Sequence, residues 1–381
     1  MSNRICEILG IKKPVIQGPM VWLTDAKLAA AVSEAGGLGS LGPNAGQTSV
    51  TRDPGETAER MRQEIRKVHE LTNKPFSVNV LPVQNGDDIY TPPMLKVIYE
   101  EKVPVVTFVG EPDEKMFREF KEHDIKIVYR SLNPTPENAR LAEKFGADII
   151  VATGFDEGGT LPDKVLGTFS IVPLIADSVE HTPVMAAGGI ADHRAFNAAF
   201  ALGAEGVYCG TVFLMSKESR MAENVKEAVL KANAQDLLLF RTIPAYYRSL
   251  PGDLANTLVE MDKAGATNAE LGKKMGGFAN LRIGMLEGDM DKGYVSVGHG
   301  ISHINKIMSA KEIIGTLCRD FKNCKNRSAA GEAIIFSGTG SGCAERMMNL
   351  LLTSKPLSSE MNRITDMMLS PLRLRLSFLR Y

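Results

Sequence analysis

Two short glycine runs lie in the second third of the chain, each at the end of an apolar stretch. Gly188 and Gly189 form the first run, and Gly210 followed by Thr211 forms the second. Glycine lets the backbone approach a ligand closely, so that main-chain N–H groups can bind phosphate oxygens. In a parallel α/β barrel, the loops after strands seven and eight form such a phosphate site. The two runs therefore predict a site for a phosphate-bearing cofactor, provided that they follow those two strands.

The first predicted strand ends in another candidate loop, which consists of Gln17, Gly18, Pro19 and Met20. The Gly-Pro pair predicts a tight turn, and Gly18 has no side chain that would block a flat ligand. The thioether of Met20 offers a soft, polarisable surface to a planar aromatic system. A simple strand-to-helix turn explains the same residues, and this interpretation stays open.

Asn79 is a polar residue inside the apolar run Phe76–Val80. Burying its amide without a partner would cost about 1–3 kcal/mol, so we expect the amide to be paired. Its partner is either a pyrimidine-like ligand edge or the neighbouring backbone. Thr153 follows the sixth predicted strand, and we place it in the same cofactor site.

Three side chains could exchange protons near this site. Asp156 and Glu157 lie in the loop after the sixth predicted strand, where the active sites of barrels form. Adjacent carboxylates do not easily face one centre, so we interpret both as solvated loop charges. His299 lies between two glycines, and histidine exchanges protons near neutral pH. It is a candidate active-site residue, with a surface position as the alternative.

The elements that would position these residues alternate between short apolar runs and amphipathic helical segments. This alternation predicts parallel strands buried on both sides. Eight such units in roughly 200 residues favour a closed (β/α)8 barrel. An open doubly wound sheet is the alternative, but its GxGxxG motif after the first strand is missing. The predicted strands are Val15–Gln17, Leu38–Leu41, Phe76–Val80, Val105–Phe108, Ile125–Tyr129, Ile149–Ala152, Val184–Ala186 and Gly206–Cys209.

Three regions follow from this pattern. Residues 1–216 are predicted to form the barrel core, and 217–321 a helical insertion over the barrel mouth together with the barrel-closing segment. Residues 322–381 are predicted to be a C-terminal tail of unknown role. The run Gly338–Gly342 within this tail lacks the Lys-Ser/Thr pair of a phosphate loop, so we do not interpret it as a nucleotide site.

The composition excludes several classes of function. A formal net charge of -1 gives no reason to expect nucleic acid or an anionic membrane as a partner. The chain contains no apolar run near about 18 residues, so we predict no membrane span. Its five cysteines are scattered without a CxxC pair, which favours a reduced, cytoplasmic setting and argues against a metal site.

Taken together, these residues resemble the nitronate monooxygenases, formerly called 2-nitropropane dioxygenases, and the similar FMN-dependent enoyl-acyl-carrier-protein reductases of class II. The likeness covers roughly residues 4–320, and the order and spacing of its motifs agree with the predicted strands. The matching segments are Val15–Met20, Ala31–Gly39, Lys74–Asn79, Phe145–Asp148, Pro183–Asp192, Leu202–Phe213 and Gly284–Gly300.

The resemblance implies a TIM barrel that binds FMN without a covalent bond. The Gln17–Met20 loop and Asn79 would contact the flavin ring, while Gly188, Gly189 and the Gly210-Thr211 pair would hold its phosphate. The expected function is FMN-dependent oxidation of alkyl nitronates or similar small molecules with O2. Alternatives are an enoyl-thioester reductase that uses NAD(P)H as electron donor, a flavin-binding protein without catalysis, and a phosphosugar-binding barrel. The oligomeric state stays open, with a homodimer as one option.

One position departs from the family pattern. The family loop after strand six normally reads Gly-Gly-His, and that histidine is usually assigned a direct role with the substrate. Here the loop reads Gly158-Gly159-Thr160. Threonine has no accessible pKa near neutrality, so Thr160 can form hydrogen bonds but cannot act as a base. We therefore expect Thr160 or His299, which stands where the family often has Gln, to face the substrate side of the flavin.

Overall fold

A closed barrel of parallel strands forms the centre of the computed structural model, which describes residues 3–82, 87–319 and 321. Among these residues, the barrel strands are β1 (Val15–Gln17), β2 (Gly39–Leu41), β3 (Phe76–Val80), β4 (Val105–Val109), β5 (Lys126–Arg130), β6 (Ile149–Thr153), β8 (Val184–Ala187) and β9 (Gly206–Cys209). They pair in parallel in the order β1-β9-β8-β6-β5-β4-β3-β2. A parallel bridge between Ile16 and Leu38 joins β1 to β2 and closes the ring.

The predicted (β/α)8 barrel is thereby confirmed, and the open doubly wound sheet is excluded. Each predicted strand is present, with ends that differ from the prediction by at most one residue. The glycine runs do follow the seventh and eighth barrel strands, because Gly188 comes directly after β8 and Gly210 directly after β9.

Helices surround the barrel, and several begin at an aspartate. Asp25, Asp53, Asp113 and Asp192 each accept a hydrogen bond from a backbone amide of the first helical turn, which stabilises the helix start. The helices are α1 (Arg4–Leu9), α2 (Ala26–Glu34), α3 (Pro54–Leu71), α4 (Thr91–Glu100), α5 (Glu114–Glu122), α6 (Pro136–Phe145), α7 (Thr168–Ala176), α8 (His193–Ala201), α9 (Thr211–Leu214), α10 (Glu223–Lys231), α11 (Asp253–Lys263), α12 (Asn268–Met275), α13 (Gly277–Met285) and α14 (Ala310–Leu317), with short 3-10 turns at Ala234–Asp236 and His299–His303.

Apolar side chains fill the barrel interior, as expected for this fold. Ile16, Val128 and Met185 are fully buried there. Helix α1 contributes Ile5 and Leu9 to the same cluster. The interior is therefore a packed core, and space for a ligand remains at the barrel mouth, where the strands have their C-terminal ends.

A second, antiparallel sheet was not predicted from the sequence. Its strands are β7 (Gly159–Leu161), β10 (Leu238–Arg241) and β11 (Tyr246–Ser249), in the order β10-β11-β7. Thr160 in β7 pairs with Tyr247 in β11. This pairing attaches the loop after β6 to the region that follows the barrel. The region that was predicted to be a helical insertion therefore also contains the strands β10 and β11.

The described residues belong to one compact unit. The division at residue 216 remains a prediction, while the tail of residues 322–381, including Gly338–Gly342, lies outside the described residues. No helix in the described part of the chain is long and apolar enough to cross a membrane.

Candidate active site

A cavity of about 560 Å³ opens at the barrel mouth, at the C-terminal ends of the strands. Its volume is in the range of pockets that bury a small organic ligand or cofactor. Most of the predicted site residues line it, although they come from distant parts of the chain. These lining residues are Gly18, Pro19, Met20, Asn79, Thr160, Gly188, Gly189, Gly210 and Thr211.

Two glycines after β8 adopt backbone conformations that other residues avoid. Gly188 has φ +103° and Gly189 has φ +71°. A Cβ atom at Gly188 would lie 2.7 Å from Thr168 Oγ1 and 2.8 Å from the carbonyl oxygen of Gly154. The glycine at position 188 is therefore required both by its dihedral angles and by its neighbours.

Gly210 after β9 differs from Gly188, because its surroundings are open. A Cβ atom there would meet no atom closer than Met20 Sδ at 4.0 Å. Its open face belongs to the cavity wall. A ligand can therefore approach the backbone at Gly210, which is the condition for binding a phosphate through main-chain groups. The open backbone at Gly210 therefore leaves room for the phosphate of the expected cofactor.

The segment Gly298–Gly300 packs against the two glycine runs, which together we call the cradle. The amide of Gly298 donates a hydrogen bond to Thr211 Oγ1 at 3.0 Å, and Gly300 lines the cavity beside Gly189. His299 between them is not among the residues that line the cavity. Its Nδ1 lies 3.2 Å from Oδ1 of Asp156, and its backbone amide donates to the carbonyl of Asp156. His299 thus holds the segment from outside the cavity.

Asp156 connects three parts of the site. The hydrogen bond with His299 holds the pKa of this carboxyl well below its usual range, and the amide of Thr168 acts in the same direction. Thr168 N donates to Oδ2 of Asp156 at 2.7 Å, at the start of α7. Asp156 is therefore an ionised, internally paired group, and not the solvated loop charge expected from the sequence.

The loop after β1 is shaped by its packing on β9. A Cβ atom at Gly18 would lie 2.6 Å from the ring of Tyr208, so only glycine fits there. Gln17 just before it is fully buried and does not line the cavity. Its Oε1 accepts a hydrogen bond from the amide of Ser40 at 3.0 Å, and so it joins β1 to β2.

The structure places the other two polar candidates differently. Asn79 lines the cavity and donates from Nδ2 to the carbonyl of Thr107 at 2.9 Å, so its amide is paired with backbone while its side chain remains at the wall. Thr153 is buried and does not line the main cavity. Within the described structure, its hydroxyl has no hydrogen-bond partner.

A buried ion pair in the cavity wall was not predicted from the sequence. Arg130, at the end of β5, donates from Nη2 to Oε2 of Glu157 at 2.5 Å, and both residues line the cavity. Their side chains are only 12% and 15% exposed, so the interpretation of Glu157 as a solvated charge is wrong. Tyr208 lies close enough to act electrostatically on both groups. The order of strands contained the signal, because β5 and β6 are neighbours and the ends of parallel strands meet at one edge.

Arg248 in β11 holds the loop that carries Glu157. Its guanidinium donates to the carbonyls of Phe155 and Glu157, and so it fixes the backbone of the loop after β6. Burial lowers the pKa of Arg248, against the attraction of Asp156 and Glu157. Thr160 follows in β7 and lines the same cavity.

The outer wall of the cavity is mainly apolar and is provided by α12, α13 and the nearby turn at Thr242–Pro244. Met275, Phe278 and Met285 belong to it. The indole N–H of Trp22 donates to the carbonyl of Phe278 at 2.7 Å, and this buried tryptophan has φ +67°. The loop after β1 is thereby attached to helix α13 across the mouth.

The fold and the cavity together define a (β/α)8 barrel enzyme whose candidate site lies at the usual end of the barrel. The sequence profile of the family described as nitronate monooxygenase matches residues 2–320. The chain therefore belongs to the nitronate monooxygenase family. It is an oxidoreductase of a family that depends on flavin.

Individual relatives agree with this assignment. The nitronate monooxygenase of Pseudomonas aeruginosa is 34% identical over 271 residues, which cover 60% of this chain and 74% of that protein. The structure of FabK from Thermotoga maritima is 35% identical with a TM-score of 0.74, and the match covers 85% of this chain and 97% of that one. The nitroalkane oxidase from Streptomyces ansochromogenes is 25% identical with a TM-score of 0.71, covering 85% and 99%.

Proposed function

We propose that this protein binds FMN in the barrel-mouth cavity and oxidises alkyl nitronates with O2. The observation that carries the proposal is the meeting of three features at one cavity: the glycine runs after β8 and β9, the Gly18–Met20 loop, and Asn79. The names of the relatives from Pseudomonas aeruginosa and Streptomyces ansochromogenes support the choice of a nitro compound as substrate.

Each part of the cavity has a separate task in this proposal. The backbone at Gly188, Gly189 and Gly210, with the Thr211 hydroxyl, holds the phosphate of FMN. The Gly18–Met20 loop and Asn79 then face the flavin ring, while Gln17 and Thr153 support this wall from behind. When bound, FMN supplies the redox chemistry, and the protein provides binding, orientation and electrostatics.

The substrate side is formed by Arg130, Glu157 and Thr160. A nitronate is an anion, and the guanidinium of Arg130 is the cation in the described cavity wall. Such a preorganised cation stabilises negative charge strongly where water is excluded. Thr160 contributes a hydrogen bond to the substrate. His299 acts as a positioning residue, because it holds Asp156 and the Gly298–Gly300 segment.

The second candidate function is reduction of an enoyl thioester with NAD(P)H as the electron donor. The similarity to FabK and the apolar outer wall favour it. From the sequence we further infer a cytoplasmic setting, and a homodimer remains one option for the assembly.

One set of measurements separates these functions. Protein purified with FMN should show the absorption bands of an oxidised flavin and consume O2 when ethylnitronate is added. Rapid bleaching of the flavin by NADH or NADPH without O2, together with no reaction with nitronate, would favour the reductase. A protein that remains colourless after reconstitution with FMN would contradict both.

A further inference from the structure

Thr168 is hydrogen-bonded to the peptide that joins the two glycines after β8. Its Oγ1 donates to the carbonyl of Gly188 at 2.9 Å and lies 3.3 Å from the carbonyl of Ala187. Gly188 and Gly189 line the cavity, whereas Thr168 is not among the lining residues of the described structure. The Gly188 carbonyl is therefore held from behind the cavity wall, by a residue to which the sequence analysis assigned no role.

The geometry of the peptide bond then sets the direction of the next amide. The peptide between Gly188 and Gly189 is trans and planar, so the N–H of Gly189 points opposite to the carbonyl of Gly188. In the described part of the chain, the Gly189 amide donates to no protein acceptor. Because the carbonyl points behind the wall toward Thr168, this amide points to the cavity side.

Two glycines in succession do not hold such a peptide in place by themselves. The φ angles of +103° at Gly188 and +71° at Gly189 lie in a region that glycine adopts easily, but glycine populates other regions about as readily. The direction of the Gly189 amide therefore needs a further constraint. The hydrogen bond from the Thr168 hydroxyl supplies it.

We propose that Thr168 is a positioning residue for the cofactor phosphate, because its hydroxyl fixes the peptide whose Gly189 amide donates to a phosphate oxygen of FMN. This inference rests on the proposed function, which places that phosphate in the cradle. Thr168 itself does not touch the ligand and acts through the peptide. An amide that already points in the binding direction binds a phosphate without the cost of ordering the backbone.

The backbone of Thr168 is held independently of its hydroxyl. Its amide donates to Oδ2 of Asp156 at 2.7 Å, at the start of α7. The side chain is also closely packed, since a Cβ atom at Gly154 or Gly188 would collide with Thr168 Oγ1. Replacing the hydroxyl by a group of the same size therefore leaves the start of α7 in place.

FMN and riboflavin separate the phosphate from the rest of the cofactor, because riboflavin has the same ring and ribityl chain without the phosphate. Both are titrated into the full-length, cofactor-free protein and followed by fluorescence quenching. The ratio of the two Kd values measures what the phosphate contributes.

The variants remove the hydroxyl or keep it. Thr168→Val replaces the hydroxyl by a methyl group of similar size, and Thr168→Ser retains the hydroxyl. The matched control is Thr57→Val in α3, which removes a hydroxyl that donates to the carbonyl of Asp53 at 2.8 Å. Thr57 does not line the cavity of the described structure.

We expect Thr168→Val to weaken FMN binding about 10-fold to 100-fold, the effect of losing one hydrogen bond to a charged group, while riboflavin binding changes less than about twofold. Thr168→Ser should keep most of the preference for FMN, and Thr57→Val should match wild type with both flavins. Urea unfolding measures any loss of stability separately, and such a loss alone would not change the ratio of the two Kd values.

Three results would overturn the inference. Equal weakening of both flavins in Thr168→Val would show that the hydroxyl supports the cavity wall in general. Unchanged FMN binding would show that the peptide needs no such support. A Thr168→Ser variant as weak as Thr168→Val would show that the hydroxyl is not the group that matters.

The same titrations distinguish a failure of this inference from a failure of the proposed function. If wild type prefers FMN and Thr168→Val keeps that preference, the cradle still binds the phosphate and the inference alone fails. If wild type binds riboflavin as tightly as FMN, the proposed phosphate site fails and the inference fails with it. Because the titrations use no substrate, a protein that binds FMN but leaves ethylnitronate unoxidised would contradict only the proposed reaction.

Discussion

The two edges of the cavity are built in different ways. At the β8–β9 edge the wall includes bare backbone, because Gly188, Gly189 and Gly210 present no side chains there. At the β5–β6 edge the wall consists of side chains, above all the Arg130–Glu157 pair. In the proposed function, the β8–β9 edge is the cofactor edge, where backbone amides would bind a phosphate. The β5–β6 edge is the substrate edge, where Arg130 would offer a positive charge to a small substrate.

Because the two edges are built differently, cofactor binding and substrate binding can change independently. A backbone cradle depends on steric conditions at each glycine, so a single methyl group can abolish it. A wall made of side chains can exchange one functional group for another without changing the fold. We therefore expect the cofactor edge to tolerate few substitutions and the substrate edge to be the part that defines the reaction.

The largest expected effect comes from filling the cradle. Gly210→Leu should weaken FMN binding about 100-fold, since hydrogen bonds to a charged group contribute about 1.5–3 kcal/mol each. Because a Cβ at Gly210 meets nothing closer than 4.0 Å, the fold should not be strained. FMN titration of the cofactor-free protein, followed by fluorescence quenching, gives the affinity.

The matched control is Gly315→Leu in α14, where a Cβ has no neighbour within 4 Å and no contact with the cavity. It should bind FMN as wild type does, and both variants should unfold in urea at nearly the wild-type midpoint. Tight FMN binding by Gly210→Leu would show that the phosphate site does not lie at Gly210.

Gly188→Ala should lose stability as well as cofactor. The residue has φ +103° and its Cβ would lie 2.7 Å from Thr168 Oγ1, so we expect a loss of about 1–3 kcal/mol in the free energy of unfolding. Urea unfolding of the FMN-free protein measures it. Gly265→Ala is the control, since it has φ +87° but open space around its Cβ, and should show the backbone cost alone. Equal losses in the two variants would refute the steric part of this explanation.

A smaller effect is expected at the substrate edge. Thr160→Ala should raise the KM for ethylnitronate about twofold to tenfold, the usual loss for one neutral hydrogen bond of about 0.5–1.5 kcal/mol. FMN affinity should stay unchanged, because Thr160 belongs to the other edge. Steady-state oxygen consumption provides the first value and FMN titration the second. A variant that loses FMN would show that the two edges are not independent.

The smallest expected effect is on the stability of the fold. It comes from the hydrogen bond between Asp156 and His299, and its size depends on pH. The hydrogen bond from His299 lowers the pKa of Asp156 in the folded protein, relative to about 3.9 in an unfolded chain. Ionised Asp156 therefore stabilises the fold above about pH 4, and this contribution is lost as the pH falls toward the folded-state value. Wild type should exceed Asp156→Asn in stability at pH 7, with the gap narrowing below pH 4 in urea unfolding. The control is Asp163→Asn, which changes an exposed aspartate. A stability difference that stays constant over this pH range, or the same difference in the control, would contradict the assignment.

The sequence was sufficient to predict the barrel and to place Gly188, Gly189 and Gly210 at its mouth. Buried parallel strands such as Phe76–Val80 form continuous apolar runs, and the glycines after the seventh and eighth runs stand where a barrel commonly binds phosphate. Nothing in the local pattern predicted β7, because it has three residues and its partner β11 follows about 85 positions later. Short strands of this kind are fixed by tertiary pairing rather than by their own residues.

The substrate edge was the least predictable part for a related reason. Glu157 has the same residue type as a solvated carboxylate, and only the position of Arg130 on the neighbouring strand changes its meaning. Gln17 shows the reverse case, in which a polar residue beside the site joins two strands through Ser40. The direction in which a side chain points is set by packing, and a single sequence does not contain it.

Trp22 gives this protein a built-in optical reporter. It is the only tryptophan in the chain, and it is buried next to Val21 and Leu23, which line the cavity, with its indole bonded to the backbone of Phe278. Oxidised flavin absorbs light in the region where tryptophan emits. Loading the cavity should therefore quench the intrinsic emission, and the rate of that quenching would follow cofactor entry in real time without any label.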